Sequence, residues 1–153
     1  MTQVAAADYL KSMKDCSIDY SADGSTWTDM CGYTSSIEPG GGERATGEAY
    51  TFCGDTALLG LGKKAPVEYT INVVYTESAA QPYQIIRDAY EDAIDTYFRF
   101  SPNGGDAGEW MWTSDVGHVT SCPEPGGEAS AADPVVIAFT FRTTKFTKSN
   151  VAS

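Results

Sequence analysis

His118 is the only histidine in the chain, so a Ser-His-Asp or Cys-His arrangement would have to use it. Asp115 stands three positions earlier in a turn-like stretch and no nucleophile elbow is present, so the imidazole reads as an exposed hairpin residue. Cys16, Cys31, Cys53 and Cys122 contain no Cys-x-x-Cys pair and have one histidine to help them, so a zinc site is not expected. Gly60-Leu61-Gly62-Lys63-Lys64-Ala65 matches the Ala-ended dinucleotide fingerprint, but Pro66 and a strand follow where a helix is required. A phosphate-binding loop would need Gly at position 57 and Ser or Thr at 64, where Ala57 and Lys64 stand, so the segment reads as a flexible turn. Asp88, Glu91, Asp92 and Asp95 have the helical spacing that can bind a divalent cation or pair an acid with a base. A solvated acidic face explains them more simply. Ser21 to Trp27 approaches an Asp-box hairpin but is one residue too short and unrepeated. No catalytic, cofactor or metal site is expected, and the chain reads as a non-enzyme.

The elements that would carry these residues are mostly strands. Cys16 to Cys31 reads as a hairpin closed by a two-residue Asp23-Gly24 turn, which pairs Tyr20 with Trp27, Ile18 with Asp29 and Cys16 with Cys31. A Cys16–Cys31 disulfide is then geometrically open, while a reducing cytoplasm favours two thiols. Residues 33–62 carry Gly40, Gly41, Gly42, Gly47, Gly54, Gly60 and Gly62 and read as a long Gly-rich loop or arm, a length that calls for a function. Pro66 to Thr76 alternates apolar with polar residues and predicts a long two-faced strand. Ile86, Ala89, Tyr90 and Ala93 recur at helical spacing after Pro82, predicting one amphipathic helix over 81–95. Tyr97 to Phe100, Glu109 to Ser114, Gly117 to Cys122 and Pro134 to Thr147 complete the strands. In the last, Ile137, Phe139, Phe141 and Thr143 share the core side; at about twelve residues it would span about 40 Å. Strands that long leave edges able to pair with a neighbour. The prediction is a mainly β fold, a small β-sandwich or barrel with one flanking helix and a long Gly-rich arm, in one domain over 1–153 whose residues 1–14 form an N-terminal arm.

The chain has 153 residues, 42% hydrophobic and 20% charged, enough for a core without metal or disulfide staples. Ten Lys and Arg against 21 Asp and Glu give a net charge of -11, which argues against wrapping or clamping nucleic acid. No apolar run approaches the roughly 18 residues of a transmembrane helix, so no membrane insertion is expected. Met1 to Leu10 carry neither a basic leader nor an apolar secretory segment, and no Asn-x-Ser/Thr sequon follows at Asn72, Asn103 or Asn150, so folding in a cytoplasm is expected.

Several stretches resemble the tail tube, or major tail, proteins of long-tailed bacteriophages: Glu38-Pro39-Gly40-Gly41-Gly42-Glu43-Arg44 leading into Gly47-Glu48-Ala49-Tyr50, Val74-Tyr75-Thr76-Glu77, Ser101-Pro102-Asn103-Gly104-Gly105, and Phe139-Thr140-Phe141-Arg142-Thr143-Thr144-Lys145. The resemblance implies a small β-sandwich with one helix, assembled as stacked hexameric rings whose inner sheets join into one barrel. It implies a virion tail location, assembly in the host cytoplasm, and tape-measure, tail-tip and tail-terminator partners. DNA would pass through without specific binding. An arm over Glu38, Pro39, Gly40, Gly41, Gly42, Glu43, Arg44, Tyr50 and Phe52 would reach a neighbouring subunit, with Gly40 to Gly42 supplying its conformational freedom. An acidic lumen would keep phosphates from docking, with Glu68 the first candidate for the wall and the acidic helix the second. The alternative is a β-sandwich carbohydrate-binding or adhesin-type module using Trp27, Trp110 and Trp112 as stacking platforms.

Overall fold

Alternating apolar residues on most strands divide the chain into two packed sheets with a ribbon beside them. The computed structural model describes residues 12–152, so most of the expected N-terminal arm lies outside the described residues. Its strands are β1 (Ser17–Ser21), β2 (Thr28–Asp29), β3 (Thr34–Gly41), β4 (Arg44–Ala49), β5 (Leu58–Lys64), β6 (Val67–Val74), β7 (Tyr97–Ser101), β8 (Trp110–Ser114), β9 (Gly117–Ser121), β10 (Val136–Thr143) and β11 (Phe146–Asn150), with α1 (Pro82–Glu91) between β6 and β7. One sheet has the order β11-β8-β7-β1-β2, the second β3-β6-β10-β9, and β4 pairs with β5 alone.

The core lies between the two sheets and is rich in phenyl rings. Phe98 of β7 packs on Phe139 and Phe141 of β10 with centroids 5.6 and 4.8 Å apart, and Phe146 meets Tyr69 at 4.6 Å. Ile18, Ile71, Val73, Val119 and Ile137 fill the space around them. The expected alternation on β10 holds, with Ile137, Phe139, Phe141 and Thr143 buried. The strand itself is shorter than the sequence suggests: it ends at Thr143, and β11 resumes at Phe146 in the other sheet, paired with β8. The corner follows from Phe146 entering the core and from the Asp115 N–H donating to the Lys145 carbonyl at 3.0 Å.

α1 has Pro82 in its first turn and buries Tyr83, Ile86 and Ala89. It is shorter than the expected 81–95, because the chain leaves at Asp92 and Ala93 takes a left-handed φ of 51°. The first hairpin also differs, with Tyr20 opposite Thr28 and Asp19 opposite Asp29, one residue out of the expected register. Asp23 is the cause. Its Oδ1 accepts the N–H groups of Ser25 and Thr26 at 2.8 Å each, and Ser21 Oγ donates to it at 2.9 Å. A six-residue loop over 22–27 that satisfies its own backbone replaces the two-residue turn. Cys16 and Cys31 therefore fall outside the paired segment, and both are free thiols.

Two measurements test this account. A Cβ on Gly117 would press on the Arg142 carbonyl and lie 2.7 Å from Phe141 Cζ, whereas one on Gly47 meets nothing within 4 Å. Gly117→Ala should lower the urea-unfolding free energy by about 2–3 kcal/mol and Gly47→Ala by under about 0.5 kcal/mol. The Thr26 and Ser25 N–H groups and the Ser21 hydroxyl hold the Asp23 carboxyl well below the usual carboxylate range. A depressed folded-state value adds stability above the unfolded value of about 4 that is lost as pH falls through the lower one. The stability gap between wild type and Asp23→Ala should accordingly be full at pH 6 and close on acidification.

Candidate functional site

The Gly-rich stretch over 33–62 divides into two parts. Its first part is no loop: β3 joins the main sheet along β6, with Glu38 opposite Thr70, Pro39 opposite Tyr69 and Gly40 opposite Glu68. Gly41 and Gly42, at φ 68° and 79°, turn the chain out of that sheet. A Cβ on Gly41 would lie 2.5 Å from the Pro66 carbonyl oxygen, so this glycine serves the turn itself. Glu43 accepts the Ala65 N–H at 2.8 Å, and from this root the β4–β5 ribbon leaves the body. All residues of both ribbon strands are exposed.

The ribbon presents apolar side chains to solvent. Tyr50 is 78% exposed, Leu58 61%, Leu59 68% and Leu61 70%, and Phe52 is fully exposed. Exposed apolar side chains grouped in this way are uncommon on monomeric soluble proteins. Tyr50 and Phe52 were expected on the arm, but Leu58, Leu59 and Leu61 are not legible as contact residues in the sequence, where Leu-Gly-Leu-Gly reads as a turn. Glu43 and Arg44 sit at the root, while Glu38, Pro39 and Gly40 belong to the sheet.

The edges of the four-stranded sheet are the second feature. Gly42 donates to the Pro66 carbonyl at 3.0 Å, which fixes the alternation along β3. Gly40 and Glu38 direct their backbone groups toward β6; Gly41, Pro39 and Ile37 direct theirs to the open side. Pro39, which has no N–H, thus forfeits no ladder bond and removes one donor from the open edge. At the other margin Gly117 exchanges bonds with Thr96 at 2.9 Å each way, so Val119, two residues on, also faces outward. Every pairing in this sheet is antiparallel. With four strands, β3 and β9 therefore run in opposite directions, and β3 of one copy can meet β9 of another antiparallel.

The outer face of this sheet is polar apart from Val74, Val136 and Ala138 at one end, and its charges are largely paired. Glu68 meets Arg142 at 3.5 Å, and His118 contacts Asp95 at 3.0 Å. Register places Gly40, Glu68, Arg142 and His118 in one row across the sheet. Asn72 donates to Ser36 Oγ at 2.7 Å, and Thr70, Thr120 and Thr140 add hydroxyls. Glu38 is exposed and has no salt bridge among the described residues.

The remaining candidates are occupied or isolated. Arg99 lies over Trp27 at 4.5 Å, and Lys148 lies over Trp110 at 4.6 Å and Trp112 at 5.9 Å, so cations already cover rings a sugar would stack on. Cys16 and Cys31 line one cleft of about 270 Å³ with Ile18 and Ile37. No group of three or more metal-ligating side chains occurs among the described residues, and no helix of the described residues is long and apolar enough to cross a membrane.

No protein-family model and no curated protein sequence matches the chain. Solved structures do. A chain of the sheath–tube complex of an extracellular contractile injection system, PVC, in its extended state aligns with a TM-score of 0.73 at 13% identity, covering 98% of this chain and 100% of that one. The SPP1 tail tube aligns at 0.64 and 14% identity, covering 91% and 78%. The tail of an empty GTA particle, refined with C6 symmetry, aligns at 0.63 and 12% identity, covering 91% and 97%. The chain has the tail-tube fold, a β-sandwich with one helix.

Thiol reactivity tests the placement of the cysteines. Burial pushes the Cys122 thiol up to about 11, while Cys53 is exposed. At pH 8 iodoacetamide should modify Cys53 at least about tenfold faster than Cys122 in the native protein, a gap that denaturant abolishes, as intact and peptide masses would record.

Proposed function

We propose that the chain is a structural subunit of a tail tube. Copies add β3 of one to β9 of the next, six to a ring, and the four-stranded sheets close into one barrel whose rings stack through the ribbons. The observation that carries this reading is the pair of oppositely directed edges on a tail-tube fold. A head-to-tail contact repeated by rotation closes into a ring and leaves no edge exposed. The ribbon supplies contacts beyond the ring, and its apolar residues are covered when a neighbour packs on them.

The barrel serves as a conduit for DNA ejected into a host, and the polar face of the four-stranded sheet lines it. The wall on this reading is hydroxyl-rich and mildly acidic. Arg142 offsets Glu68 and Asp95 contacts His118, so the unpaired negative charge on this face falls to Glu38. With a Debye length of about 8 Å, such charges act on phosphates only near the wall, discouraging docking without closing the bore. Tape-measure, tail-tip and tail-terminator proteins are the partners at this assembly's interior and ends, the virion tail is its location and the host cytoplasm its place of assembly.

Electron microscopy of concentrated protein tests this function. Wild type should form tubes; persistent monomers under all assembly conditions would refute the reading. Ile37→Pro removes a donor from the open edge without taking a ladder bond from β6, and should reduce tube yield by about tenfold or more while circular dichroism reports a folded chain. In a second experiment, Tyr50→Ser with Phe52→Ser should leave unfolding within about 0.5 kcal/mol of wild type yet shorten tubes, because both side chains lie outside the core.

A further inference from the structure

The four thiols lie in three separate places. Cys53 is exposed on the segment between β4 and β5. Cys122 is buried beside α1, where Arg87 donates to its carbonyl and Tyr83 to that of Pro123. Cys16 and Cys31 share a cleft, the one of about 270 Å³ that Ile18, Thr34 and Ile37 also line. Met30 donates its N–H to the Ile18 carbonyl at 2.8 Å, which carries the alignment of β1 with β2 one step further. The next step sets Ser17 opposite Cys31 and leaves the Cα atoms of Cys16 and Cys31 about 5–6 Å apart, inside the span of a disulfide. β1 starts at Ser17 and β2 ends at Asp29, so strand alternation holds neither cysteine to one face of the sheet.

We propose that Cys16 and Cys31 are a redox pair that closes to a disulfide when a small-molecule disulfide is supplied. Cys31, the exposed member, attacks one sulfur of the small disulfide and releases the first small thiol. Cys16 then displaces the second small thiol from Cys31. In sum one S–S bond breaks and one forms. The two protein thiols give up two electrons to the small disulfide, and their two protons go to the small thiols. Until then the pair stays open. Burial raises the Cys16 thiol, and the hydrogen bond from Cys31 Sγ to Asp29 raises the Cys31 thiol, so little thiolate is present at neutral pH. The closed bond acts on the margin between the two sheets. Thr34 donates to the Met30 carbonyl through its N–H at 3.1 Å and its hydroxyl at 3.0 Å, so the turn after Cys31 leads directly into β3. A Cys16–Cys31 bond therefore ties β1 of one sheet to the start of β3 in the other. A chain folded under reducing conditions gains this staple on leaving them, and the staple restricts the unfolded chain more than the folded one. The pairing is a property of the single chain and is independent of assembly into a tube.

Oxidised glutathione tests the pairing. Purified protein is incubated with it, native or in urea, then alkylated in denaturant and mapped by peptide mass. The native chain should yield a Cys16–Cys31 linked peptide at least about tenfold more abundant than any other linked pair, while urea gives mixed pairings. Cys53, the only cysteine of residues 43–64, should stop at the glutathione adduct. The closed form should unfold at a higher urea concentration than the reduced form, a shift that dithiothreitol reverses and Cys16→Ser abolishes. Glutathione persisting on Cys31 with Cys16 still free, or a native disulfide to Cys53, would overturn the pairing, as would a closed form that unfolds at lower urea. The wild-type peptide map decides the matter even where the serine variant fails to fold.

Discussion

The two sheets are joined by a run of aromatic contacts. Phe98 stands against Phe139 and Phe141, and Phe146 reaches from the corner to Tyr69 and Phe100. Each ring removes a large apolar area from water, and tilted and edge-on contacts add specific geometry to that burial. A strand shows its core face at every second residue, so committing Phe139 and Phe141 to the interior sends Ala138, Thr140 and Arg142 outward. The composition of the polar face is thus a consequence of the aromatic core.

Strand number gives that core two edges that run in opposite directions. A four-stranded antiparallel sheet ends in edges that run in opposite directions, which a rotational contact between identical copies requires for a continuous antiparallel barrel. The molecule treats its edges unequally. β3 keeps outward backbone groups at Ile37 and Gly41 but loses a donor at Pro39, while Thr96 occupies the Gly117 end of β9. Such partial blunting limits indiscriminate strand addition.

The ribbon stands apart from both sheets, with every residue of its two strands exposed. It takes no part in the core. Its neutral charge on an acidic chain and its exposed leucines both depart from what a solvated hairpin needs. The turn at Gly41 and Gly42 decouples the two regions: β3 can be fixed by β6 while the following residues project from the body.

The alternation of Val67 to Val74 and of Ile137 to Thr143, and the helical spacing after Pro82, determined the sheets' buried faces and the flanking helix, because side-chain period is a local property of the backbone. The sequence also marked residues 33–62 as unusual and placed Tyr50 and Phe52 on an arm. It did not reveal that Glu38 to Gly41 form a sheet edge, that Leu58, Leu59 and Leu61 are exposed, or that Arg142 pairs with Glu68. Those facts depend on which strands become neighbours, and register between distant segments is settled by the joint packing of the whole core. The early hairpin shifted by one residue for a related reason: Asp23 and Ser21 satisfy a wider loop through side-chain hydrogen bonds that a two-residue turn would forgo.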